Sequence, residues 1–432
     1  MKDALGLALT GTTPDSLAAY QSALDEFRCF RGDPAALAAQ AIAASPGMPM
    51  AHLLQAWLHL LGTEPAGLEV ARAACDAAAA LPANERERLH LQAARLLAAG
   101  HWYEAGRVLE DLSLLYPLDL LALQAGHQLD YFTGDARMLR DRIARALPAW
   151  KRGMPGQHAV LGMHAFGLEE CADYAQAEKH GRLAVELEPR DGWAWHAVAH
   201  ALEMRNEPAA GVAWLAPSSA SWAPGSFLAV HNWWHLALFQ LELGREEEVL
   251  RLYDEAIGTG SAMMLDLVDA SAMLWRLQLR GVDLGARWER VADLWAANGR
   301  PGLYAFNDLH MMMAFTATGR SAAQSAVLQA QAAAMERDDD NAHFTAAAGS
   351  LACRAVQAFG AGACAPCVQL LRRIRSGAHR FGGSHAQRDV LDLTLLEAAR
   401  RAGLQALAAG LHKERIALRP RTRTGVPLAL AA

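Results

Sequence analysis

The sequence predicts an all-α fold, a right-handed superhelix of about eleven helical hairpins with no strand in it. Three observations predict this. The composition is 53% hydrophobic and rich in Ala and Leu, which suits close-packed helices. A turn-and-helix pattern recurs along the chain. No stretch shows the alternation of a half-buried strand.

Three copies of the pattern are clearest. Leu168–Pro189 reads LEECADYAQAEKHGRLAVELEP, Gly100–Pro117 reads GHWYEAGRVLEDLSLLYP, and Gly403–Pro420 reads GLQALAAGLHKERIALRP. In each, a small residue (Ala172, Gly100 or Gly403) stands 17 positions before a proline. A small residue is needed where one helix ends and the chain reverses tightly, because that turn uses left-handed dihedrals. An amphipathic second helix follows, and proline ends it by lacking the donor a helix requires.

Weaker turns stand at Gly32-Asp33, Gly62, Gly134-Asp135, Asn206-Glu207, Gly244-Arg245, Gly319-Arg320 and Gly360. Successive turns are 30 to 43 residues apart, except for 75 between Gly244 and Gly319, which a hidden unit around Gly281–Gly285 would divide. The expectation is one continuous domain over residues 1–432. This is a tetratricopeptide-like (TPR-like) α-solenoid, whose first helices line the concave face.

Several classes are disfavoured. The net charge of −6 lacks the basic stripe that phosphate binding needs, so no nucleic acid is expected. The most apolar stretch, from Leu112 to Ala125, is broken by Pro117 and Asp119, so no membrane partner is expected either. The start of the chain, with Asp3 and a single Lys, makes a poor signal peptide, and six irregularly spaced cysteines make no disulfide framework. A cytoplasmic protein is expected.

The polar residues carry the functional signal. Of 17 histidines, thirteen fall in the expected first helices: His52, His59, His90, His127, His158, His164, His196, His200, His231, His235, His310, His343 and His385. The densest run spans consecutive hairpins. It holds Trp193, His196, His200 and Glu203, then His231, Asn232, Trp234 and His235, then Asp266, Asp269, Trp275 and Arg276, then Asn307, Asp308 and His310. His196 and His200 are four apart, as are His231 and His235, so each pair leaves one helical face.

Three readings compete. These residues satisfy one another inside the array; they line a ligand or active site; or the two H-x-x-x-H pairs hold a divalent metal. The ligand site is favoured. Metal ranks last, because neither pair carries the Glu of H-E-x-x-H and tryptophans crowd His231 and His235. No cofactor is therefore assigned.

Smaller signals are discounted. Cys364-Ala-Pro-Cys367 begins a helix, whose dipole would lower a thiol pKa, but it lacks βαβ context. Asp338–Asp340 lacks the glycine and final Glu of a calcium loop. Met311–Met313 reads as core filler, and Arg419, Arg421 and Arg423 as a fraying tail.

The chain resembles the tetratricopeptide repeat protein 38 family along its full length. The carriers are GMHAFGLEE (Gly162–Glu170), WAWHAVAHALEM (Trp193–Met204), HNWWHLALF (His231–Phe239), LWRLQLRGVDLGARW (Leu274–Trp288), FNDLH (Phe306–His310) and GGSHAQRDV (Gly382–Val390). The resemblance implies a compact α-solenoid with a fixed set of His, Trp, Asn and Asp residues, and carries over no catalytic role.

The expected function is binding of a small-molecule ligand or substrate in a His/Trp/Asp-lined pocket, with catalysis left open. His196, His200, His231, His235 and His310 are the acid–base candidates, oriented by Asp269 and Asp308. Trp193, Trp234 and Trp275 form apolar walls, and Asn232 and Asn307 add polar contacts. Arg276 or Arg388 clamps a carboxylate. His385, from the far end of the array, joins the ligand contacts, and Arg388 and Asp389 beside it help close the cavity. The alternative is a protein-interaction scaffold holding a peptide in its groove. Such grooves favour Lys and Arg, and this chain has only Lys2, Lys151, Lys179 and Lys413.

Overall fold

A computed structural model describes residues 1–418. Pro420 and the arginines at 419, 421 and 423 lie outside the described residues. Among those described there is no strand, only two isolated antiparallel bridges, Lys2 with Ala8 and Arg31 with Ser226. The helices follow one another as hairpins, eleven among the described residues.

One local device makes each hairpin. The last turn of the first helix ends in a residue with positive φ, and the next amide donates back to the carbonyl five residues earlier. Gly100, Gly134, Ala172, Asn206, Gly244, Gly281, Gly319, Gly362 and Gly403 all occupy this left-handed position. The returning bonds include His101 N to Leu96 O (2.9 Å), Asp173 N to Leu168 O (2.9 Å), Val282 N to Leu277 O (3.2 Å) and Leu404 N to Ala399 O (2.9 Å). This is the Schellman closure, which satisfies carbonyls that a helix end leaves open. Asp135 and Asp173 then cap the second helix by accepting from Met138 N and Gln176 N.

The structure adjusts three expected turns. Phe30, not Gly32, stands at the left-handed position of the first hairpin, although Gly32 also has positive φ. In the second hairpin the left-handed residue is Thr63, one after Gly62, and in the tenth it is Gly362, two after Gly360. The hidden hairpin exists: Met264–Leu279 turns at Gly281 into Arg287–Asn298.

The chain forms two compact units. The first comprises residues 1–198 and 219–229; the second comprises, of the described residues, 199–218 and 230–418. In the first unit, Pro49–Leu60 packs on Glu85–Ala99, and Leu120–Phe132 packs on Gln157–Glu170, so first helices lie against first helices. Gly167 permits a close approach between helices, since a Cβ there would sit 2.5 Å from the backbone at Leu139 and Arg140. Two groups of buried charges in this unit are matched. Asp119 accepts from Arg86 (2.7 Å) and from His90 Nε2–H (2.9 Å), while Trp57 Nε1–H donates to His90 Nδ1 (3.2 Å). Arg142 forks onto Asp130 at 2.7 and 2.9 Å.

In the second unit Met264–Leu279 packs on Ala305–Ala317 and on His385–Arg401. Met311, Met312 and Met313 are buried filler in this layer. Gly211 leaves room for Phe239, whose ring would lie 2.3 Å from an added Cβ.

The turn device predicts a contrast. Ala172 carries a Cβ at φ +65, which costs an L-residue about 1 kcal/mol. Ala172→Gly is expected to raise the unfolding free energy measured in urea, by about 1 kcal/mol less the extra unfolded-state entropy of Gly. Gly134→Ala is expected to lower it by a similar amount.

Candidate functional site

The residues singled out in the second unit come from three first helices. Ala229–Glu242 carries His231, Trp234 and His235 at i, i+3 and i+4, one face of a helix. Met264–Leu279 carries Asp266, Asp269 and Arg276 on one stripe. The end of Gly192–Met204 contributes His200 and Glu203, again one turn apart. All lie on the inner, first-helix layer, and the three imidazoles are at most 5% exposed.

These side chains meet. The rings of His200 and His235 lie 4.4 Å apart, and those of His231 and His235 5.0 Å apart. Trp234 stacks flat on His231, at 5.4 Å and 10° between planes. His231 Nδ1–H donates to Asp269 Oδ2 at 2.8 Å, and His235 Nδ1–H donates to Glu203 Oε2 at 3.1 Å. A carboxylate on Nδ1 fixes each tautomer and leaves Nε2 as the nitrogen carrying the lone pair. The guanidinium of Arg276 stands 5.2 Å over the Trp234 ring and donates to the carbonyls of Ala272 (3.1 Å) and Ala386 (2.7 Å).

Burial sets the protonation states. It holds His235 neutral, well below the usual imidazole range, with His231 and Arg276 adding to the effect. It raises Asp266 to about 6, and raises Asp269 against the opposing pull of His231. Several buried polar atoms here have no partner among the described residues: Trp234 Nε1, Asp266 Oδ1, Asp269 Oδ1 and His310 Nε2. Each such atom costs about 1–3 kcal/mol unless something satisfies it.

A cleft of about 60 Å³ adjoins this group, lined in part by Glu203, Glu242, Arg276, Arg280, Asp389 and Arg415. Glu203 and Arg276 thus belong both to the buried group and to the cleft wall. Sequence reasoning missed Glu242, Arg280 and Arg415. A signal existed for the first two: with Glu203, they are charged residues near the ends of first helices, just before Gly244, Gly281 and Asn206.

Other expected site residues lie elsewhere. His196 stands one turn before His200, in the first unit, stacked on Phe166 at 5.3 Å and beside Trp193 at 4.8 Å. Trp193 also stacks on Phe30 (5.3 Å) and meets His127 edge-on (5.8 Å). His127, one of the thirteen first-helix histidines, is buried, its pKa pushed down to about 3, and belongs to this aromatic group. Asp191 starts that helix by accepting from Trp193 N and Ala194 N, and its other oxygen accepts from His158 (2.7 Å).

Asp308 does not orient the central histidines. It accepts from Gly302 N (2.9 Å) and Gln331 Nε2 (3.2 Å), holding the loop before its own helix. Trp275 is not a site wall: it is fully buried, donating to Thr394 Oγ1 at 2.9 Å. His310 donates from Nδ1 to Phe306 O (2.9 Å), and burial lowers its pKa to about 4. Asn232 is fully buried and Asn307 is 8% exposed. Asp389 pairs with Arg415 at 2.5 and 2.9 Å, while Arg388 donates to Gly383 O and, like His385, is only half-buried. Cys364 and Cys367 are free buried thiols, and burial pushes Cys367 up to about 12, against the lowering a helix start would give.

The geometry defines a class: an all-α protein of helical hairpins with a buried cluster of imidazoles and carboxylates. No protein-family model matches the chain. Among solved structures it is similar to the TPR domain of P58(IPK), with 15% identity over 78% of this chain and 94% of that one, at a TM-score of 0.20. The fold assignment therefore stands on this chain's own hairpins. No helix among the described residues is long and apolar enough to cross a membrane.

Asp308 gives a test of these electrostatics. Burial raises it to about 7, from 3.8, so the folded state holds a proton that the unfolded state releases between those values. Its contribution to stability is full below about pH 4 and is lost as pH rises through 7. Asp308→Asn is expected to flatten the stability profile across that window, by a few kcal/mol at most, when denaturation midpoints are compared at pH 4.5 and 8.

Proposed function

We propose that the chain is a ligand-binding helical-repeat protein whose second unit takes a small polar molecule. The observation that carries this reading is the set of orphaned polar atoms, Trp234 Nε1, Asp266 Oδ1, Asp269 Oδ1 and His310 Nε2, within a buried layer next to a charged cleft. Mutual pairing inside the array would have satisfied them.

The cleft bounds the ligand. At about 60 Å³ it is far below the 300 Å³ or more of a drug-sized pocket, so the ligand is small. Arg276, Arg280 and Arg415 line it together with Glu203, Glu242 and Asp389, a lining of mixed charge that suits a compact zwitterion. The His231–Asp269 and His235–Glu203 dyads give the neighbouring layer the means to move a proton, so the same site supports acid–base chemistry. In this reading His200 and His231 sit behind the cleft wall, and Trp234 forms their apolar backing. Kinship with the tetratricopeptide repeat protein 38 family, supported by the quoted motifs, and a cytoplasmic location, supported by six free cysteines, accompany the proposal.

A broader reading, a scaffold for a protein partner, has one supporting feature. An open depression of about 520 Å³ is lined by Asn206, Glu207, Pro208, Ala209, Ala210, Glu242 and Leu243. Its acidic lining suits a basic segment, not the acidic ones that Lys- and Arg-rich grooves hold.

The test is a thermal-shift screen of the full chain against glycine, β-alanine and two- to four-carbon acids, with native mass spectrometry of protein purified without denaturant. At a hundred times Kd a ligand adds about 2.7 kcal/mol of stability, so a clear rise in melting temperature is expected from at least one compound. Arg280→Gln is expected to weaken that response at least tenfold in concentration. A folded protein with no retained small molecule and no response to any compound would overturn the reading.

A further inference from the structure

The three histidines of the second unit suggest more than polar recognition. Within one helix, His231 and His235 stand at i and i+4, and His200 reaches the same point from the preceding first helix. One nitrogen from each lies within 4.8 Å of one from each of the others. In tetrahedral zinc, with bonds near 2.05 Å, ligand nitrogens lie about 3.3 Å apart, so rotating rings by an ångström or so closes the set.

We propose that His200, His231 and His235 hold a divalent transition metal ion, zinc by ligand chemistry. Three neutral imidazoles and no thiolate suit zinc and its neighbours in the first row rather than calcium or magnesium. Two further features support the assignment. Asp269 and Glu203 each accept the Nδ1 proton of a different imidazole, the carboxylate–histidine–metal arrangement that turns Nε2 toward an ion and raises its basicity. The indole of Trp234 lies flat on the face of His231, so it walls the ring without standing in the plane of its nitrogens. Tryptophan crowding, which argued against metal from sequence alone, thus becomes part of the apolar shell.

The missing H-E-x-x-H glutamate is no obstacle to binding. That residue acts on a metal-bound water in one class of protease, whereas the ligands here are held by acids from other helices. The inference goes beyond the cleft reading and does not depend on it: a metal can sit on these nitrogens whether or not the cleft takes a zwitterion.

The experiment is zinc binding by the full chain after chelator treatment, measured by equilibrium dialysis with elemental analysis. Circular dichroism follows the fold throughout. One zinc per chain is expected. His235→Ala should abolish the binding, and Asp269→Asn, which keeps the shape and loses the charge behind His231, should weaken it 10- to 100-fold. His164→Ala, in the first unit where His164 contacts His180 at 2.9 Å, should leave the stoichiometry unchanged. In case His235→Ala fails to fold, wild-type protein loaded with cobalt should show the intense visible bands of a tetrahedral site, and zinc should displace them. A folded chelated protein that binds neither ion, or one whose zinc affinity Asp269→Asn leaves unchanged, would overturn the metal site. The thermal-shift screen, repeated on the same chelated protein, reports separately on the cleft.

Discussion

Everything in this fold depends on a single backbone event: the first helix of each pair stops on a left-handed residue, and the next amide bonds back across the last turn. That closure fixes where the second helix starts and in which direction it leaves, so the order of first and second helices is kept from hairpin to hairpin. First helices then pack on first helices within each unit. A residue's place relative to the turn therefore decides whether it faces the inner layer, and residues far apart in sequence come to share it. Glycine serves at most of these turns, yet Ala172 and Asn206 hold the same conformation, so the array tolerates some strain at single positions.

The inner layer is unusually polar, and each unit carries paired and unpaired buried groups. In the first, buried charges find matched partners. Asp119 collects Arg86 and His90, and Arg142 forks onto Asp130. These groups explain themselves as structure, because a buried ion is tolerated when its partner and hydrogen bonds are supplied. Both units also set carboxylates behind histidines, Asp119 on His90 and Asp191 on His158 in the first, Asp269 on His231 and Glu203 on His235 in the second, and both hold buried polar atoms without a hydrogen-bond partner, Trp193 Nε1 in the first and Trp234 Nε1 in the second. What distinguishes the second unit is convergence: the rings of His200 and His231 lie 4.4 and 5.0 Å from that of His235.

Much of this was legible in the sequence, for a physical reason. Turn residues and helix periodicity are local properties, so the number of hairpins, including the hidden one at Gly281, could be read directly. The thirteen histidines assigned to first helices all lie in them or at their starts. What the sequence could not show was pairing. Asp269 and Asp308 look alike in sequence, each near the start of a first helix, but one faces His231 and the other turns back to Gly302 and Gln331. Trp275 resembled a wall and proved to be core, since only its bond to Thr394 reveals which way the indole points. Arg415 entered the cleft from a second helix, where nothing in the repeat pattern marks it.

The central claim is that the inner layer of the second unit is completed by something other than the chain itself. The most direct measurement is the electron density of crystals of the natively purified protein around Asp269 Oδ1, Trp234 Nε1 and the three imidazoles. The account predicts ordered density there, from an ion or small molecule, within bonding distance of those atoms. Clean density in which the same atoms are paired with neighbouring side chains, with nothing else between them, would contradict it.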